Sequence, residues 1–259
     1  MNLKFRKKFN VGSGDMDINY RLTKIAMAKF FQETFAMYCA KNNVAAFDLC
    51  KQNIVWVIAD LHIEFSEYMP YWSEEFDVEI WISEKTVLRT YVDFKLYYKN
   101  NLIAKGDSCW YLLDMQSRRP IKSIDILKDF QICKEKVFPN FEKQLYRIEG
   151  EKIAEKEHIV TVRDLDFNYH VNNLSYLWLA LETVPTEILK LYSADSYCVK
   201  FVKEAYLSDL LVCELYEKDK SFTARIYNKK DMSDVCFVFS KYSDKKLFGR
   251  NPREAGVIF

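Results

Sequence analysis

"DMDINYRLTK" occupies residues 15–24, and "DLDFNYHVNN" occupies residues 164–173. Both read D-x-D-x-N-Y and then diverge, the first to Arg21 and the second to His170. At a constant shift of 149, Asp15 meets Asp164, Asp17 meets Asp166, Asn19 meets Asn168, Tyr20 meets Tyr169, Glu33 meets Glu182 and Thr34 meets Thr183. Roughly one such identity is expected from average composition. A second block, "YWSEEFDVEIW" (71–81), resembles "YLSDLLVCELY" (206–216) at a shift of 135. The change of shift puts extra residues between the blocks in the first copy. The chain therefore reads as a diverged tandem duplication, and a repeat decides the fold before any local propensity does.

After each motif comes a mostly apolar segment, 25–40 and 174–184, without the alternation of a strand. A helix apolar on nearly all sides is a buried one. Asn172 or Asn173 suits the second helix's N-cap, and Pro185 limits its length. Strand-like runs follow in both copies, several with period two, as in Val92, Phe94 and Leu96. "YKNNLIA" and "EKDKSFT" supply turn residues, and such short connections favour antiparallel pairing. Each copy is thus expected to hold a short strand, a buried helix and a meander of about four strands. The fold class is α+β: a tandem (double) hotdog, with two antiparallel sheets each wrapped around a long buried helix. Residues 1–130 form the N-terminal hotdog, 131–156 a charged connector, and 157–259 the C-terminal hotdog.

Composition bounds the function. Hydrophobic residues make up 49% and charged residues 29%, near the average for globular domains. The net charge of +1 lacks the basic excess of a nucleic-acid binder. Seven scattered cysteines with no C-x-x-C, and no signal peptide, indicate reduced thiols and a cytoplasmic setting. The most apolar run, 16 residues from Ile25, contains Lys29, Gln32 and Glu33, so no membrane span is expected. No cofactor or metal is called for.

"DLDFNYHVNNLSYLWLALETVP" closely resembles the D-L-D-x-N-x-H-V-N-N-x-x-Y signature of acyl-acyl carrier protein (acyl-ACP) thioesterases. The resemblance extends through "VWVIADLHIEF", "YMPYWSEEFDVEIW" and "DSCWYLLDMQSRRPIK" in the first half. It implies hydrolysis of a fatty acyl-ACP thioester, with catalytic residues in the C-terminal hotdog and the acyl pocket mainly in the N-terminal one. Carried over motif by motif, the catalytic residues are Asp166, Asn168, His170 and Glu204. The family's glutamate is followed by cysteine, whereas "FVKEAYLSD" places Ala205 there. Ala205 cannot act as a nucleophile, so an active chain is expected to use water.

Thioester hydrolysis needs an activated water and stabilisation of the tetrahedral oxyanion. Glu204 is the expected general base, with Asn168 and His170 holding water and carbonyl and Asp166 fixing the local geometry. Helix N-terminal amides near Asn172 and Asn173 are candidates to face the oxyanion. Glu182 is a rival base, because a carboxylate on an apolar helix is unusual. The bland alternative is that Asp166 and Asn168 are turn residues, since Asp17 and Asn19 stand where no chemistry is expected. Cys198 reads as strand packing, and His62 and His158 match no motif. The acyl pocket is expected from the helix at 25–40 and the strand at 54–65. The expected partner is the acidic acyl carrier protein, guided by a basic surface. Candidate clusters are Arg118, Arg119 and Lys122; Lys200 and Lys203; and Lys245, Lys246, Arg250 and Arg253. A homodimer is compatible. Alternative functions are an acyl-CoA thioesterase of the same fold and a non-catalytic acyl-binding protein.

Overall fold

The computed structural model describes residues 3–139 and 147–245. The first half contains strands β1 (Phe5–Asn10), β2 (Ile54–Phe65), β3 (Glu75–Lys85), β4 (Arg89–Tyr98) and β5 (Asn101–Asp114). The second contains β6 (Glu151–Ile159), β7 (Tyr192–Phe201), β8 (Leu210–Lys218), β9 (Ser221–Asn228) and β10 (Asp234–Asp244). The helices are α1 (Lys24–Lys41), α2 (Ala46–Leu49), α3 (Ser123–Ile126), α4 (Asn173–Thr183) and α5 (Thr186–Leu191). Each copy runs strand, long helix, then four strands, as the repeat requires. Among the described residues, no helix is long and apolar enough to cross a membrane.

Where two sheets were expected, the ten strands form one, in the order β1-β3-β4-β5-β2-β7-β10-β9-β8-β6. Read inward from each edge, the two halves have the same order. They meet at β2 and β7, which pair antiparallel from Asp60↔Lys200 to Glu64↔Ser196. The merger has a physical cause. Both inner strands carry unpaired backbone donors and acceptors in an isolated half, and pairing them removes two sheet edges. The remaining edges are blunted by charge, "FRKKFN" in β1 and "EKIAEKEHI" in β6. β6 begins at Glu151, inside the stretch expected to be connector, because Glu151 already pairs with Glu217 of β8.

α1 packs on β3, α4 packs on β8, and the two helices touch each other. Thr23 caps α1 by accepting from the Ala26 N–H at 3.1 Å, and Asn43 ends it in the left-handed region at φ 58°. α1 buries Met27, Phe31 and Phe35 among others. Phe31 stacks on Phe94 of β4 with centroids 3.9 Å apart. That ring lies over Gly106, where an added Cβ would sit 2.2 Å from Phe94 Cζ and 2.3 Å from the His62 carbonyl oxygen. The second contact is with backbone and cannot yield cheaply. The two-residue turns Lys99–Asn100 and Asp219–Lys220 have positive φ throughout, the geometry that matches strand twist in tight hairpins.

On the opposite sheet face, Asp107 is cross-strand neighbour to both Asp93 and His62. Burial, followed by the charges of Asp93 and Asp60, pushes its carboxyl from 3.8 up to about 7.

Two predictions follow from this packing. Gly106→Ala should destabilise the protein by about 1–3 kcal/mol, read as a lower urea midpoint at unchanged slope. The Asp107 contribution to stability is present below its ordinary pKa and lost as pH rises through about 7. Asp107→Asn should therefore flatten the fall in urea midpoint between pH 4 and pH 7; an unchanged slope would remove this assignment.

Candidate active site

The loop entering α4 is built by one carboxylate oxygen. Asp166 Oδ1 accepts from the N–H of Asn168 at 2.8 Å and of His170 at 3.2 Å. The Asp166 N–H donates to the His170 carbonyl at 2.8 Å, and Tyr169 sits at φ 62°. The first copy repeats this bond for bond. Asp17 Oδ1 accepts from Asn19 at 2.7 Å and Arg21 at 3.1 Å, and Tyr20 sits at φ 61°. The Asp of the shared motif therefore closes a turn that aims the fourth following residue. Asn168 is half-buried, and its carboxamide has no hydrogen-bond partner among the described residues.

The residue so aimed is His170, whose backbone forms a bridge with Tyr206. Its ring meets the Tyr206 ring edge-on, with centroids 5.2 Å apart. His170 Nδ1 lies 3.3 Å from Glu204 Oε1. The Tyr206 hydroxyl donates to Glu204 Oε2 at 3.2 Å. Burial and the adjacent carboxylate push the Tyr206 phenol up, which keeps it a donor. Ala205 is fully buried, and its carbonyl accepts from the Val171 N–H at 2.9 Å, locking the Glu204 segment to the motif loop.

At the matching place in the first copy stand Arg21, Met69 and Tyr71. Arg21 Nη2 donates to the Tyr71 hydroxyl at 3.0 Å, and Met69 is buried where the second copy has Glu204. The frame is shared, whereas the imidazole and the carboxylate belong to one copy alone.

The structure brings Asp166, Asn168, His170 and Glu204 into one neighbourhood. The other residues singled out in the sequence stand elsewhere. Glu182 is exposed and pairs with Lys156 at 2.5 Å, so its place on an otherwise apolar helix is the solvent face. Of the helix amides expected near the oxyanion, three are already paired: Asn172 N–H donates to the Asp164 carbonyl at 2.7 Å, Leu174 N–H to Asn172 Oδ1 at 2.9 Å and Ser175 N–H to the Asn172 carbonyl at 2.9 Å. Cys198 is buried in β7, opposite His62. His158 pairs with Asp164 at 3.0 Å. Lys203 binds Asp231 at 2.7 Å. Lys246, Arg250 and Arg253 lie outside the described residues.

One site residue was missed in its role. Arg118, read from sequence as a surface cation, forms an ion pair with Glu204 Oε1 through its Nη2. The contact spans 86 residues of sequence and joins the two halves. No local pattern signals it.

Comparison with known proteins identifies the family. The acyl-ACP thioesterase N-terminal domain model matches residues 2–130, and the C-terminal domain model matches residues 148–236. The chain is 22% identical over 228 residues to an acyl-[acyl-carrier-protein] hydrolase of Cuphea viscosissima and 24% identical over 227 residues to an oleoyl-acyl carrier protein thioesterase of Coriandrum sativum. These alignments take in 81% of this chain in both cases, and 54% and 61% of those relatives' lengths. Among solved structures, an acyl-ACP thioesterase of Bacteroides thetaiotaomicron superposes with a TM-score of 0.80 at 24% identity, covering 93% of this chain and 98% of that one. A 12:0-ACP thioesterase of Umbellularia californica gives 0.83 at 20% identity, covering 95% and 99%. The structural likeness shows a shared hotdog-type fold. The two domain matches follow one another as the duplication requires, and on them the chain belongs to the acyl-ACP thioesterase family.

Proposed function

We propose that this protein hydrolyses the thioester of fatty acyl-ACP, releasing free fatty acid and the carrier thiol, with water activated by Glu204. The observation that carries the reading is the asymmetry between the copies. The same turn, bridge and tyrosine frame an imidazole and a carboxylate 3.3 Å apart in the second, and an arginine and a methionine in the first. The turn, bridge and tyrosine kept in both copies are structural, and the acid–base pair is held by one copy alone.

In this mechanism Glu204 takes a proton from water as the water oxygen bonds to the acyl carbon. In this step His170 acts as the imidazolium, giving Nδ1–H to Glu204 and Nε2–H to the thioester carbonyl, and the Asn168 carboxamide supplies a second donor for the developing oxyanion. Collapse breaks the C–S bond, and the departing thiolate takes the proton that Glu204 received. Asp166 acts indirectly, by holding the turn that presents both donors. Ala205 leaves no thiol to compete as nucleophile at that position. The N-terminal half supplies the acyl pocket near Phe35, Trp56 and Trp110, whose rings already form one cluster. The carrier is the partner that delivers the thioester.

Thiol release measured side by side on acyl-ACP and acyl-CoA tests the reading. Wild-type turnover should favour acyl-ACP, and a strong preference for acyl-CoA would transfer the assignment to the CoA ester. Glu204→Gln and His170→Ala should each lower kcat by about 10²–10⁴-fold, the usual contribution of a positioned acid or base. Asp166→Asn keeps an oxygen acceptor and should retain most activity, while Asp166→Ala should lose it. Equal losses in the two Asp166 variants would show that the charge itself is used.

A further inference from the structure

We propose that Arg118 is a positioning residue for the reaction: a side chain of the N-terminal half that fixes the Glu204 carboxylate, so that the site is built from both halves. The inference rests on the reading of Glu204 as general base.

The geometry behind Arg118 is more constrained than a surface cation needs. The turn after β5 is closed by Asp114. Its Oδ1 accepts from the N–H of Gln116 at 3.2 Å, and from the N–H and hydroxyl of Ser117 at 2.7 and 2.8 Å. Those bonds, the Ser117 N–H first, hold the Asp114 carboxyl below its usual range. The Asp114 carbonyl accepts from Arg118 N–H at 2.9 Å, and Asp114 N–H donates to the Arg119 carbonyl at 3.0 Å. A second anchor ties the turn to the start of β2: Asn53 Nδ2 donates to Asp114 Oδ2 at 3.1 Å, and Met115 N–H donates to the Asn53 carbonyl at 2.8 Å. Within this frame Arg118 itself takes φ 55°, a left-handed conformation that side-chain-bearing residues adopt at a cost. The turn over-determines that conformation and directs the side chain across to Glu204.

At its far end the guanidinium meets an oxygen already shared. Glu204 Oε1 faces both Arg118 Nη2 and His170 Nδ1, and Oε2 accepts from Tyr206. Glu204 lies beyond the end of β7, so no ladder bond fixes its side chain. Three contacts from three segments fix it instead. A planar guanidinium restrains the direction of a carboxylate as well as its charge, which an ammonium does not. Small misplacements of a reacting group cost rate steeply.

Steady-state kinetics on acyl-ACP with the intact protein test this. Arg118→Ala should lower kcat by about 10–100-fold and leave KM within about twofold. Arg118→Lys should not restore the rate, whereas millimolar guanidinium should partly rescue Arg118→Ala. Rescue acts on folded protein and so separates a positioning role from a folding defect. In a Glu204→Gln background, Arg118→Ala should cause no further fall in kcat, because two residues acting as one unit are non-additive. A raised KM with unchanged kcat would make Arg118 a carrier contact and overturn the proposal. So would multiplicative losses in the double variant, which would place Arg118 on the substrate directly. Wild-type kcat in Glu204→Gln alone would instead overturn the base assignment, whatever Arg118 does.

Discussion

Five residue pairs between β2 and β7, from Asp60↔Lys200 to Glu64↔Ser196, are the constraint on which the rest of the molecule depends. Strand β2 runs antiparallel to β5 on one side and to β7 on the other, so β5 and β7 run in the same direction and end at the same margin of the sheet. Two strand spacings of about 4.8 Å separate them. The turn after β5 and the segment after β7 are therefore close enough for one long side chain to bridge. The Arg118–Glu204 ion pair is a consequence of that topology. In an isolated half, neither β2 nor β7 would have its second neighbour, and the carboxylate would lose the cation that faces it.

The duplication also explains how the two copies share a fold while one alone holds an imidazole beside a carboxylate. What both copies retain is hydrogen bonding to backbone: Asp17 and Asp166 closing the turn, and Thr34 and Thr183 each bonding a carbonyl one helical turn earlier at 2.7 Å. Glu74 and Asp209 likewise accept from Tyr71 N–H at 2.8 Å and Tyr206 N–H at 2.9 Å. Buried or turn-forming backbone groups must be paired, so these residues are held by the fold. Arg21 and Met69 satisfy the same frame without an acid–base pair. Met69 is apolar and buried, which suits a wall better than a reaction centre.

Much of this was legible in the sequence, and the limits have a physical form. The helices were legible because α1 and α4 are apolar segments without strand alternation. The strand order was legible only in part: short turns make β3, β4 and β5 neighbours, but the expected four-strand meander is broken by β2, which pairs with β5 and not with β3. His170 stood out through comparison of the copies. The merger into one sheet was not legible, because whether β2 pairs with β7 or stays an edge depends on residues more than 130 positions apart, and period-two patterning is the same in both cases. Arg118 was invisible for the same reason. Its neighbours Gln116, Ser117 and Arg119 describe an exposed basic turn, and only the sheet brings Glu204 beside it. The set of amides expected at the oxyanion narrows for a local reason: the sequence names Asn172 as a cap, and a cap that works consumes the N–H group it satisfies, here that of Leu174.

That last point bears on how the site handles developing charge. In the proposed reaction, with the Asn172, Leu174 and Ser175 amides already paired, the oxyanion is assigned to side chains on the motif loop. Asn168 and His170 are the two whose backbone N–H groups share Asp166 Oδ1, so a single carboxylate oxygen sets the relative position of both donors. Preorganised donors contribute most when they need not move as charge appears. A turn that binds two consecutive alternate N–H groups through one oxygen is a rigid way to meet that condition. In the proposed reaction, the same bonds that make Asp166 look merely structural hold Asn168 and His170 in place to act together.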